Sequence, residues 1–567
     1  MGKLKRSIAL LLTALLLCGC TAEPALSHSG EREKIAYIPI DDRPDNVERA
    51  EYLAESLDYE LCMPEKDMYA TKLNSQPLNE NGTQHGDRDG LFAWLTEQEK
   101  GGCNRYIISL DQLLSGGLVN SRDMAENESI VIDGKSYTET QALDMLIELL
   151  GADEDNRVWL LDSVMRLAPT VGYGTWDAES YENVRSYASV PRMVAELSLE
   201  EIEQSYRLDA DNNIIPLADF GISEEQAERY FAARCRKLEL SDYLLSALEN
   251  KENFSVLIGI DDSSEKLCIQ KNEIAYLSEK LREGDVILSG VDDLAFKSIA
   301  KLYLEESGFE GCKVNVAYFG ESEEKPACIY DYRPLNELVE EHLSFFGMEK
   351  SGDAELQVLV LTAPADENRA GEYLDGIIDS LNDNRKEKLP TILIDASDSH
   401  YGTEFLSRFI SETEAGYLLS YSGSLDMAIV TGTALSHGVA RYAFLQNGKG
   451  TAETESAYMR SLADSVIKDV CYRSDVRAQV QEYVASLGGS ANNHFEPQLD
   501  KDALNSFLAD KMELSTEKVL KNLENSSYIY SLGNYAERGW GSITLSDYSF
   551  PWNRSFEISM KISITED

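Results

Sequence analysis

The sequence predicts an α/β protein, with mostly parallel sheets and flanking helices in two α/β layers and a small C-terminal β element. Three observations carry this. Short apolar runs recur and end in acid, as in Ile107-Ile-Ser-Leu-Asp111, Val158-Trp-Leu-Leu-Asp162, Leu257-Ile-Gly-Ile-Asp-Asp262, Ile287-Leu-Ser-Gly-Val-Asp-Asp293 and Ile392-Leu-Ile-Asp395. Helical stretches separate these runs, the alternation that builds a parallel sheet. Near the end the period changes, and Phe556-Glu-Ile-Ser-Met-Lys-Ile-Ser-Ile564 alternates residue by residue as an antiparallel strand does.

Taken in order, Ile35–Ile40 reads as the first strand because it is an unbroken apolar run. Asp41 and Asp42 stop it, Arg43 follows, and Pro44 is suited to the first turn of a helix. A helix over Val47–Ser56 and a short strand near Leu61 come next. Asn, Gly and Pro between Thr71 and Asp89 mark a loop. A helix over Leu91–Lys100 leads to a strand over Tyr106–Leu110. After it, Gly116 and Gly117 permit close backbone approach, and Arg122 offers a two-pronged cation. A helix over Gln141–Leu150 precedes the strand Val158–Leu161, which ends at Asp162 with Arg166 close behind. Tyr181–Glu249 reads as helical with a break at Asp209–Pro216. Strands are expected at Phe254–Ile260, Val286–Ser289, Val314–Phe319, Gln357–Leu361, Thr391–Ile394 and Tyr417–Tyr421. About ten strands exceed the eight of a simple barrel. Two α/β layers joined near residue 310 are therefore preferred to a TIM-like barrel with additions. Ala452–Leu523 reads as polar helix, and Tyr528–Ile564 as the small β element, with Trp540, Tyr548 and Trp552 read as packing residues rather than a sugar-stacking surface. The expected units are 34–310, 311–450 and 451–567.

A chain of 567 residues exceeds one ordinary domain. Its 100 acids against 52 bases leave a net charge of -48, which argues against nucleic acid and against adhesion to anionic surfaces through basic patches. Residues 1–19 have the order of a secretory signal: Lys3, Lys5 and Arg6, then the apolar Ile8–Leu17, too short to span a bilayer. Leu17-Cys-Gly-Cys20 resembles a lipobox, so Cys20 is the expected lipidation site. Residues 20–33 would then tether an extracytoplasmic protein to the membrane through lipid alone. The other cysteines are scattered, without a Cys-x-x-Cys pair and odd in number, which excludes a zinc ribbon and does not suggest a disulfide framework.

Several motifs, in their order, resemble one bacterial family. They are Ile38-Pro-Ile-Asp-Asp-Arg-Pro44, Ser109-Leu-Asp-Gln-Leu-Leu-Ser-Gly-Gly-Leu-Val-Asn-Ser-Arg122, Arg234-Cys-Arg-Lys-Leu238, Gly290-Val-Asp-Asp293 and Pro551-Trp-Asn-Arg554. The family is domain of unknown function 4127 (DUF4127), and the likeness covers nearly the whole mature chain. It brings no established activity. It implies secreted or envelope-associated proteins for which carbohydrate handling is a suitable setting. Asp262-Ser-Ser-Glu265 departs from the family pattern, where a small residue followed by an aromatic and glycine is expected.

Acids repeated at strand ends predict a carboxylate-lined cleft, because parallel α/β folds place their sites there. Glycoside hydrolysis is the favoured chemistry, since it needs two carboxyl groups in different protonation states across one bond. Its catalytic candidates are Asp41, Asp42, Asp111, Asp261 and Asp262. Arg43, Gly116, Gly117, Arg122, Asp162 and Arg166 are the candidates for holding a glycan or other small-molecule ligand. Taken singly, each aspartate is equally a helix cap or a salt-bridge partner. Two alternatives remain open. One is a metal-dependent hydrolase using a divalent cation on oxygen ligands, although no metal ligand set is assigned and no HExxH occurs. The other is a non-catalytic carbohydrate- or solute-binding lipoprotein. Nothing matches a phosphate-binding glycine loop or a GxSxG elbow, so no nucleotide cofactor is expected.

Overall fold

The computed structural model describes residues 30–123, 129–424, 426–448, 450–490, 495–496 and 498–565. The signal and Cys20 lie outside the described residues. The first half supplies strands β1 (Glu33–Ile38), β2 (Tyr59–Cys62), β3 (Arg105–Ser109), the hairpin β4 (Ile130–Ile132) and β5 (Lys135–Tyr137), then β6 (Arg157–Val164), β7 (Phe254–Ile260) and β8 (Val286–Ser289). Six of them form one parallel sheet in the order β2-β1-β3-β6-β7-β8. The second half supplies β9 (Cys312–Phe319), β10 (Met348–Lys350), β11 (Leu356–Thr362), β12 (Thr391–Ala396) and β13 (Ser420–Gly423), parallel in the order β10-β9-β11-β12-β13. In both sheets the first strand lies between the second and the third. This is the flavodoxin-type winding, in which the strand order reverses beside the first strand.

The two-layer α/β expectation holds, and no closed barrel forms among the described residues. Three details differ. An extra edge strand, β10, is only three residues long and too short to show a period. The last parallel strand begins at Ser420, because Ala415–Tyr417 turn into a short 3-10 helix first. The long helical region divides into helices Ala178–Ala188, Leu199–Ser205 and Glu224–Ala247, with an irregular stretch between the last two that is wider than the expected break. At the C-terminus β14 (Ser527–Ser531) pairs with β15 (Ala536–Gly539), and β16 (Ser542–Ser549) with β17 (Ser559–Thr565), all antiparallel.

Two helices join the sheets. Helix Leu294–Glu306 packs on β3 and β7, and helix Met427–Asn447 packs on β12 and β13. The two helices also pack on each other, so that one apolar core runs from Trp159 and Leu257 through Phe296, Ile299 and Leu435 to Val358 and Ile394. The sequence of the second helix is apolar on every side, and all of Val430–Leu445 is buried, as expected of a helix enclosed between layers. Helix Glu48–Ser56 packs against helix Ala452–Ile467, which brings the C-terminal segment over the carboxyl end of β1. The seven described cysteines are free thiols, and no described helix is long and apolar enough to cross a membrane.

Candidate functional site

The carboxyl ends of the two sheets face one shared cavity of about 490 Å³. The first sheet contributes Arg43 after β1, Arg122 beyond β3, Arg166 after β6, Asp261 and Asp262 after β7 and Asp292 after β8. The second contributes Asp398 after β12 and Ser424 and Asp426 after β13. The C-terminal segment closes it with Arg473, Arg477, Trp552, Arg554, Phe556 and Glu557. Ligands of open α/β sheets bind at this end of the strands.

Of the residues expected from sequence, Arg43, Arg122, Arg166, Asp261 and Asp262 meet here. Arg43 is the hinge of the arrangement. Its Nε donates to both carboxylate oxygens of Asp41 at 3.0 and 2.9 Å, while Nη1 and Nη2 grip Asp292 at 2.8 and 2.5 Å. Trp552 supports it from one face, 5.3 Å from the guanidinium carbon. Arg122 donates to Asp261 at 2.5 Å and to the Thr170 hydroxyl at 3.0 Å. Arg166 donates to Asp262 at 3.2 Å and to the carbonyls of Ala168 and Pro169. Asp261, Asp262 and Asp292 thus each meet an arginine from the end of another strand of the first sheet.

The remaining candidates do not line the cavity, for physical reasons. Asp41 is fully buried and accepts from the Arg43 backbone N–H, the Arg43 side chain and the Asn46 amide, so it builds the turn that aims Arg43. Asp42 accepts from the Thr71 backbone N–H and from Trp552 Nε1, fastening the C-terminal loop to β1. Burial raises its carboxyl, opposed by Lys66 and the Trp552 bond. Asp111 and Asp162 share the buried Lys237, and Asp111 also accepts from Ser163 while Asp162 accepts from Ser241. Burial pushes Asp111 up, but Lys237 outweighs it and the carboxyl titrates below the usual range. Gly116, at φ 78°, lies against His85, and a Cβ on Gly117 would come within 2.9 Å of Thr71 Oγ1. These two glycines fit a turn together, outside the cavity lining.

The cavity also holds groups outside the expected set, three acids among them: Glu557, Asp426 and Asp292. Glu557 is 7% exposed, its Oε2 has no hydrogen-bond partner, and Arg43 Nη1 stands 3.8 Å from its other oxygen. Burial, reinforced by Asp45, pushes its carboxyl up to about 8. Asp426 opens helix Met427–Asn447, and burial together with the facing Asp262 and Asp292 raises it well above the carboxylate range. Asp292 was visible as a strand-end acid in Val291-Asp-Asp293 but was not chosen. Glu557 sits in an alternating stretch where a polar residue reads as solvent-facing, and no local signal marks it. Asp293, the neighbour of Asp292, is buried against Lys297 at 2.9 Å and lies behind the cavity lining.

Among the described residues no three His, Cys, Asp or Glu side chains are grouped as a metal ligand set. His400, a few residues beyond β12, is exposed. Trp540 is buried with its Nε1 donating to the Gly416 carbonyl, and Trp552 is buried while lining the cavity, so packing and site coincide only in the latter. Comparison with curated proteins found no match, and comparison with solved structures found none. The family model described as a protein of unknown function (DUF4127) matches residues 35–561, and the chain belongs to that family.

Proposed function

We propose that the cavity is the active centre of a glycoside hydrolase-like enzyme on a lipid-anchored, extracytoplasmic protein. The observation that carries this is one buried carboxyl group, Glu557, with an unpartnered oxygen and raised by burial to about 8, beside two carboxylates paired with arginines. Pairs of acids pushed to different protonation states are the signature of acid and base roles in one site. Glu557 would donate its proton to the oxygen of the departing sugar. Asp292 or Asp262 would act across the ring, either taking a proton from the attacking water or bonding to the sugar carbon. The walls suit a sugar in composition, since the aromatic rings of Tyr181, Tyr330, Trp552 and Phe556 alternate with polar groups. Anchoring through Cys20 keeps the enzyme at the membrane where envelope glycans lie.

The test is turnover by the full chain on a panel of aryl glycosides and envelope glycans, with and without chelator. Activity that survives chelation and is lost in both Glu557→Gln and Asp292→Asn supports the two-carboxyl reading. Activity abolished by the chelator transfers the chemistry to a metal ion. Saturable glycan binding without turnover leaves a carbohydrate-binding lipoprotein.

A further inference from the structure

The arginines around the cavity are not equivalent. Arg43 is matched by Asp41 and Asp292, Arg122 by Asp261, Arg166 by Asp262, and Arg473 by Asp45 and Asp469. Arg554 differs. Among the described residues it makes no ion pair; its Nη2 donates to the Val171 carbonyl, and its Nε is buried without an acceptor. Its guanidinium carbon lies 5.7 Å from the centroids of both the Trp552 and Phe556 rings, which pack edge to face on each other. An arginine packed beside two aromatic rings with an unused donor is preorganised for a ligand, because much of its rotamer entropy is already spent.

Its surroundings sharpen the point. Burial and then the neighbouring Arg166, Arg43 and Arg122 push its guanidinium down to about 9, which means that the free protein leaves this positive charge unbalanced. Arg122 also has a buried Nε without an acceptor. Burial raises two carboxyls of the lining, Asp426 and Glu557. A chain with net charge -48 repels anions at long range. The cavity lining sets six arginines against six carboxyl groups, and among the described residues none of those carboxyls pairs with Arg554.

We propose that Arg554, with Arg122 and Arg166 beside it, forms a subsite for an oxyanion carried by the ligand, so that the substrate class is an acidic sugar. The guanidinium fork suits a planar carboxylate or one face of a tetrahedral phosphate or sulfate ester. The inference rests on the glycan reading only for the ligand being a sugar; the anion subsite is a separate feature of the cavity.

The experiment titrates the full chain at pH 7 with glucose, glucuronate, glucose 6-phosphate and glucose 6-sulfate, reading heat of binding and the shift in thermal midpoint. At least one acidic sugar is expected to bind about ten-fold or more tightly than glucose, less so at high salt. The preferred acid separates carboxylate from phosphate or sulfate recognition. In Arg554→Gln the preference should vanish while the ligand-free midpoint stays level or rises, because an unbalanced charge has been removed. Arg554→Lys should retain part of the preference. Equal binding of glucose and all three acids overturns the proposal, as does a preference that survives Arg554→Gln. A lowered ligand-free midpoint in that variant also overturns it, since the role is then structural. Turnover of neutral aryl glycosides without any acid preference removes the subsite alone, and acid-selective binding without turnover removes the hydrolytic reading alone.

Discussion

At the scale of single residues, the cavity separates acids by the company they keep. Glu557 is pushed up to about 8, first by burial and then by Asp45, with Arg43 and Arg473 opposing and Asp292 adding to the rise. A carboxyl whose folded-state value exceeds its unfolded value of 4.5 contributes stability that is fully present below about pH 4.5 and lost as pH rises through about 8. Glu557→Gln cannot ionise, so its thermal midpoint should gain on the natural chain between pH 5 and pH 9. A constant gap across that range would remove the assignment. If Glu557 is the proton donor, turnover should also fall along an alkaline limb near pH 8. Lys237 presents the opposite case, a buried cation balanced by Asp111 and Asp162. Removing one partner of a buried pair costs about 3–5 kcal/mol. Lys237→Ala, which strands both aspartates, should lower stability in urea by about that much, and a loss under about 1 kcal/mol would mean that water already screens the group.

At the scale of elements, the strands were readable because each is a buried apolar run, and burial on both faces erases alternation. The acids that end them were readable too, but not which of them reach the cavity. Asp41, Asp111 and Asp162 look like Asp261 and Asp262 in sequence. What separates them is a distant partner: Arg43 folds back on Asp41, while Lys237 arrives from helix Glu224–Ala247, whose Arg234 and Arg236 take Glu273 and Glu139. Arg234-Cys-Arg-Lys237 is visibly basic in sequence, but its partners come from distant segments that only the folded sheet brings near. Helix Met427–Asn447 shows an element-level constraint that its sequence states only indirectly. A Cβ on Gly432 would lie 1.7 Å from Asp293 Oδ2 and 2.7 Å from Lys297 Cε, and one on Gly438 would lie 2.4 Å from Ile392. Alanine ordinarily favours a helix interior over glycine by about 1 kcal/mol. Here Gly432→Ala should instead destabilise by about 1–3 kcal/mol, because it drives helix Leu294–Glu306 and its buried ion pair away. A neutral or stabilising result in chemical denaturation would mean that the two helices are less closely packed than described.

At the scale of the whole molecule, the cavity exists only where two like-wound sheets present their carboxyl ends to each other. Sequence suggested a junction near residue 310, and β9 begins at Cys312, yet the boundary in sequence is not a boundary in packing. One apolar core crosses from Trp159 to Val358 through the paired helices. A second tie is electrostatic and reaches around the cavity. Arg473 donates to Asp45 beyond β1 at 2.8 Å and also to Asp469, which accepts from the Gly423 backbone N–H at the end of β13 at 2.7 Å. Arg49 reaches Asp464 at 3.3 Å in the same region. Exposing either sheet alone would therefore uncover both a large apolar face and several buried charges, and such a partly folded state has little to stabilise it. Calorimetry of the full chain should show a single cooperative unfolding transition, with calorimetric and van't Hoff enthalpies in agreement. Arg473→Met strands Asp45 and Asp469 and should lower the midpoint without splitting that transition. Two resolved transitions in the unaltered chain would mean that each sheet is stable alone, and the cavity between them would then be a joint that opens rather than a fixed site.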